Sequence, residues 1–136
     1  MGMKNTQGDP LERVIGRMQD ASWLILSALD PARPLHGIEI IRRVEAVYAE
    51  AGYPQRHLDP STLHYGLKRM IDDGLVRREG EREVDVPGPR GTTRREPRAV
   101  YTITGEGRRA LALRDQLELA RRRATLRVGL TAPGGI

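Results

Sequence analysis

No cysteine and no phenylalanine occur in this chain, and tryptophan occurs once. Without Cys, disulfides, thiolate metal sites and cysteine nucleophiles are excluded, which fits a reducing compartment. With aromatic residues at 4%, any core has to be built from aliphatic side chains. No apolar run approaches the ~18 residues of a membrane span and the N-terminus carries no signal-peptide pattern, so the expectation is a cytoplasmic protein with no membrane partner. Signs of catalysis are as scarce. The three histidines are scattered and no carboxylate pair sits in a catalytic motif, which points away from an enzyme and offers no catalytic residue. His57 and His64 have no third ligand in sequence, so neither a metal site nor another cofactor is expected.

What the chain does have is arginine. Of 23 basic residues 21 are Arg, and the net charge is +5. The guanidinium is a planar, bidentate donor suited to phosphate and to guanine edges, although a coding bias toward Arg would produce the same ratio. At 136 residues there is chain enough for one domain with one core.

The stretch His57–Glu79, HLDPSTLHYGLKRMIDDGLVRRE, organises the rest. Asp59 can cap a helix, Pro60 suits its first position and Gly74 supplies a φ > 0 stop, so a helix is expected over 60–73. On a helical wheel Leu63, Leu67, Met70 and Ile71 share one side, while Ser61, Thr62, Tyr65, Lys68, Arg69 and Asp72 share the other. Leu75–Val86 and Arg94–Ile103 then read as two strands joined by the Pro/Gly-rich tip Pro87–Thr93. Between Arg77 and Arg98 seven arginines stand against five acids, a mixed charge. A capped helix with an apolar back and a donor-rich front, followed by such a hairpin, is the pattern of a recognition helix and a wing over 75–103; an ordinary surface helix would show the same two faces.

Residues 1–8 are polar and expected to be disordered. Asp9-Pro10 starts a helix expected to reach about Leu29, with one buried stripe of Leu11, Val14, Ile15, Met18, Ser22, Ile25, Leu26 and Leu29. Trp23 and Leu24 project off that stripe, which predicts contact with another subunit or, for Trp23, cover by a loop. In the next helix Gly37, Ile40, Ile41, Val44, Val47 and Tyr48 share a face; Gly37 there would admit a neighbouring helix, and His36 before it reads as a structural hydrogen-bond donor. Thr104 can cap a last helix over 105–129. Its two stripes, Ala110, Leu113, Leu117, Ala120 and Ala124 against Ala112, Leu119 and Leu126, predict one face on its own domain and the other on a partner. Residues 130–136 are expected to form a flexible tail.

The order helix, helix, recognition helix, two-stranded wing, long helix is a winged helix-turn-helix, mainly α with a small β-hairpin. Over about residues 20–110 it resembles the PadR family of bacterial transcriptional regulators. Leu35–Ile40, LHGIEI, is similar to the family's LHGYEI, and Thr62–Met70, TLHYGLKRM, to its TLYPALKRL. Asp73–Val76, DGLV, is similar to its EGLI, and Pro97–Thr104 with Gly107 to its PRKYYRLTxxG. His64 and Tyr65 stand where the family has Tyr and Pro, Ile38 replaces a Tyr, and the hairpin is longer, with the acidic segment Glu79–Glu83 near its base.

The resemblance implies a homodimer, joined through N- and C-terminal helices, in which residues 9–104 bind a palindromic operator in double-stranded DNA. A repressor released by a small aromatic or hydrophobic effector is the expected function. DNA contact is then expected from Ser61, Thr62, His64, Tyr65, Lys68 and Arg69 on the recognition helix, and from Arg94, Arg95 and Arg98 on the wing. Trp23, Leu24, Leu113, Leu117, Ala120 and Ala124 are the expected dimer and effector residues. A winged-helix module that binds protein instead of DNA competes with this reading, favoured by the mixed wing charge and by Asp72-Asp73.

Overall fold

The computed structural model describes residues 10–18 and 20–131. The expectations for 1–8, for a cap at Asp9 and for the tail beyond 131 lie outside the described residues. The first helical stretch is two helices, α1 (Pro10–Arg17) and α2 (Asp20–Ala28), where the periodicity predicts one. The Met18 N–H donates to the Ile15 carbonyl at 3.2 Å, a three-residue turn that closes α1. Asp20 then opens α2 with a carboxylate beside its unpaired N–H groups. The apolar stripe runs on across the break, so its spacing carries no sign of it.

Asp30 ends this segment. Its carboxylate accepts the N–H groups of Ala32 and Arg33 at 2.8 and 3.2 Å, and Arg43 donates to the exposed Ala28 carbonyl at 3.0 Å. A two-residue strand follows, β1 (Leu35–His36), which the sequence pattern does not announce; α3 (Gly37–Glu50), α4 (Pro60–Asp72), β2 (Val76–Pro87), β3 (Thr93–Ile103) and α5 (Gly105–Thr131) complete the order. The three strands form an antiparallel sheet in which β3 is central. Leu35 pairs with Tyr101 on one side of β3, and Val76 with Ile103 through Pro87 with Thr93 on the other, with a bulge between Arg78 and Glu81.

Helices α2, α3 and α4 close over the base of this sheet. Ile25, Leu26, Leu35, Ile40, Val44, Leu63, Leu67, Met70 and Leu75 are fully buried, an aliphatic core as the composition requires. Gly66 is what lets α2 cross α4 closely: a Cβ there would stand 3.2 Å from Ile25 Cδ1. Gly37 plays the same part against Leu63 of α4, whose Cδ2 would be 3.3 Å from an added Cβ. Two members of the expected stripes leave the core, since Val47 and Ile71 are exposed.

Trp23 corrects the sequence reading. It is 5% exposed and packed in the core, because α5 returns to α2 and lays Arg114 over the indole at 4.9 Å. Helix α5 begins on Thr104, whose Oγ1 accepts the Gly107 N–H at 3.0 Å, the expected cap. Ala110 is buried, and Leu111 and Leu113 pack against the core. Beyond them the helix leaves the body: Leu117 and Leu119 are 51% and 49% exposed, and Ala120, Ala124 and Leu126 are exposed as well. The expectation that one whole stripe packs on its own domain therefore holds only for the first turns.

Candidate nucleic-acid interface

Helix α4 is fixed at both ends and on its back. Asp59 Oδ1 accepts the Ser61 N–H at 3.1 Å, and Glu45 of α3 holds the lead-in by accepting the Leu58 N–H at 2.9 Å beside His57 Nδ1 at 3.2 Å. At the other end Gly74, at φ 78°, turns the chain so that the Leu75 N–H returns to the Met70 carbonyl at 2.8 Å. Thr104 ties this end to α5, donating from Oγ1 to the Gly74 carbonyl at 2.6 Å. With Leu63, Gly66, Leu67 and Met70 buried beneath, α4 presents Ser61, Thr62, His64, Tyr65, Lys68 and Arg69 to solvent together. Arg69 Nη1 reaches Tyr65 Oη at 3.4 Å, and no acid pairs with Lys68 among the described residues. Such a face offers hydroxyl, imidazole, ammonium and guanidinium donors on a rigid rod.

The wing is charged but largely self-paired. Arg94 and Arg98 both bind Glu96, Arg78 binds Glu81 at 3.2 Å, and Arg95 reaches the Glu83 carbonyl at 3.5 Å. Of the three expected wing contacts, only Arg98 stands near α4. It lines a cleft of about 420 Å³ with His36, Ile38, Pro60, His64 and Tyr101, between α4 and the hairpin.

Behind this cleft the wing is anchored to α3 through Glu39. That carboxylate accepts the His36 N–H at 3.2 Å, lies 3.3 Å from His36 Nε2, and pairs with Arg33 and with Arg82 of β2. Burial pushes the Glu39 carboxyl up, but the His36 N–H and the charges of His36 and Arg82 outweigh it and hold the group below the usual value. Burial pushes the His36 imidazole down. Glu39 pulls it back, while Arg82, Arg42 and Arg98 push it further down, so His36 sits below the ordinary histidine value. Its Nδ1 is buried without a hydrogen-bond partner. His36 is a structural group, as expected, although its place in a strand was not foreseen.

No model of a known protein family matches the sequence, and no curated protein matches it. Solved structures do. A PadR-like transcription factor from Bacteroides fragilis superposes with a TM-score of 0.50 at 23% identity, over 89% of this chain and 95% of that one. A PadR family transcriptional regulator from Eggerthella lenta gives 0.53 at 18% identity, over 93% and 97% of the two chains. A transcriptional regulator from Clostridium thermocellum gives 0.52 at 18% identity, over 84% and 92%. This chain has the fold of the PadR-like regulators.

Within that PadR-like fold there is a second concavity. It is a cleft of about 380 Å³ between α2 and α5, lined by Asp20, Trp23, Leu24, Ser27, Tyr48, Arg56, Leu111, Arg114 and Asp115. Two rings there carry a guanidinium, Arg114 over Trp23 and Arg56 over Tyr48 at 4.7 Å. Trp23 and Leu24 thus share a cleft, whereas Leu113 and Leu117 do not line it; Leu111 and Arg114 take that place. Sequence spacing missed these two because the cleft is set by where α5 returns, not by either helix's own period. Among the described residues no three His, Asp or Glu side chains come together as metal ligands, and no helix is long and apolar enough to cross a membrane.

Proposed function

We propose that this chain is a sequence-specific DNA-binding transcriptional regulator of the PadR type, acting as a dimeric repressor. The observation that carries the reading is the exposed donor face of α4, held rigid by Asp59, Glu45 and Thr104 on a fold shared with proteins described as transcription regulators. Ser61, Thr62, His64 and Tyr65 would face base edges from the helix N-terminal half, with Lys68 and Arg69 on base or phosphate oxygens. The exposed leucines of α5, Leu117, Leu119 and Leu126, are the surface a second copy would cover. An effector, where one acts, would enter the Trp23–Arg114 cleft: two rings suit a small flat aromatic compound, and the two guanidinium groups there are balanced by the carboxylates of Asp20 and Asp115.

Selection of genomic fragments by the purified chain, followed by sequencing, tests the reading. A palindromic motif is expected, and absence of any retention on DNA at low salt would overturn it in favour of a protein-binding module. Titration of a flat aromatic compound against the fluorescence of the sole Trp and against operator binding tests the effector. Quenching that accompanies operator release supports a sensor at Trp23, and release without quenching places the site elsewhere.

A further inference from the structure

We infer that the cleft between α4 and the base of the hairpin binds a small amphipathic carboxylate, an anionic head on an aliphatic body, and that its occupancy excludes DNA. The ligand site stands on its own observations, and the exclusion rests on the DNA-binding reading above.

An apolar wall is the first ground. Ile38 and Ile41 of α3, Leu63 of α4, and Ala99 and Tyr101 of β3 supply it. All but Leu63 are only half-buried, so apolar surface remains uncovered here although the core beneath is closed. Gly37 and Ala99, the smallest residues of the lining, leave the space open. Its volume of about 420 Å³ falls within the ~300–1,000 Å³ typical of small-molecule sites.

The ionisable groups of the lining are the second ground. They are His36, His64 and Arg98, each cationic or able to become so, and no carboxylate lines the cleft. Glu96, which pairs with Arg98, and Glu39, 3.3 Å from His36 Nε2, lie outside its wall. The Trp23 cleft differs in this respect, since Asp20 and Asp115 stand beside its arginines. His36 also lacks a partner. The residue is 9% exposed, and its Nδ1 is a buried side-chain atom with no hydrogen bond among the described residues. An unpaired buried polar atom is destabilising, and a ligand oxygen that reached this ring would relieve it. Few convergent polar groups on an apolar wall are the arrangement that fixes a small ligand's orientation.

A DNA phosphate does not account for this lining. It would meet His64 and Arg98, but it has no body with which to cover Ile38, Ile41 and Tyr101. An alkyl carboxylate answers both halves, its head to the cations and its chain to the apolar wall. The wall is mostly aliphatic, which favours an alkyl chain over the flat ring that suits Trp23. His64 and Arg98 are also groups that α4 and the wing would turn toward the duplex. Ligand and DNA therefore compete for the same two side chains.

Decanoate, kept below its micelle-forming concentration, is the probe; decanol lacks the head and acetate lacks the body. Added to the free full chain, decanoate should shift the Ile38 and Ile41 methyl resonances and leave the Trp23 indole N–H resonance in place. Operator Kd should rise in proportion to decanoate, about tenfold at ten times the decanoate Kd and without a plateau. Decanol and acetate at equal ionic strength should do neither. Ala99→Leu fills the cleft, and Ile38→Gln makes its wall polar at a half-exposed position. Each should keep operator affinity and weaken decanoate binding about tenfold. Shifts at Trp23 instead of Ile38 and Ile41, equal shifts with decanol or acetate, an operator Kd that is unmoved or reaches a plateau, or an undiminished response in both variants would overturn the inference. Should the chain bind no duplex at all, the exclusion falls with the DNA-binding reading, and the methyl shifts alone decide the ligand site.

Discussion

Single side chains hold the parts of this molecule together, and Thr104 does the most with the least. One hydroxyl accepts the Gly107 N–H and donates to the Gly74 carbonyl, while its own N–H meets the Leu75 carbonyl, so the end of α4, the start of the wing and the start of α5 meet on one residue. Thr104→Ala should cost about 1 kcal/mol of stability, read from urea or thermal unfolding, by losing the cap. His36 and Glu39 make the wing anchor respond to pH. In the window below the ordinary histidine value of 6.5 the unfolded chain takes a proton that the folded imidazole refuses, so stability falls with pH there and levels off below the folded value. Glu39, held below 4.5, contributes stability that is present above that value and lost as pH falls through its lower folded one. Acid therefore loosens the wing anchor twice. Melting temperature against pH should fall from about 6.5 downward, and His36→Gln should flatten the upper part of that curve.

Elements differ in how far their own sequence makes them legible. Helix α4, its cap, its two faces and the hairpin behind it are local in origin, set by Asp59, Pro60 and Gly74, and the structure places them within a residue or two of expectation. Strand β1 was not legible, because two residues pair only once Tyr101 and Val100 are brought beside them. Trp23 was read as exposed for the same kind of reason: its cover comes from Arg114, far along the chain. The candidate face on α4 could be read residue by residue, whereas the Trp23 cleft depends on where α5 returns and could not. Helix α5 changes a prediction too. The two stripes suggest that Leu117→Asp and Leu119→Asp should differ, one unfolding the domain and one separating subunits. Since both leucines lie half-exposed, both variants should keep the monomer's melting temperature and weaken self-association, measurable by sedimentation. A wild-type monomer at micromolar concentration would remove α5 as an interface.

For the molecule as a whole, counterion release should govern operator affinity. Each phosphate contact contributes about 0.9 to the slope of log affinity against log salt, so Lys68→Ala should lower the slope by about that amount if Lys68 meets phosphate. An unchanged slope and affinity in both Lys68→Ala and Arg69→Ala would remove α4 from the interface. The long hairpin has a consequence of another kind. With β3 central, no strand among the described residues lies beside the outer edge of β2, nor beside β3 beyond Val100 on its other side. A bare ribbon of this length is a template on which further copies could polymerise. Along that edge Arg77-Arg78-Glu79-Gly80-Glu81-Arg82-Glu83 changes sign repeatedly, and Gly80 at the bulge breaks the register. Any sliding copy would meet its own charges out of step. The acids of this hairpin thus oppose edge-to-edge growth of one copy on another, and charge-neutral substitutions at Glu79, Glu81 and Glu83 should raise aggregation, measurable by light scattering.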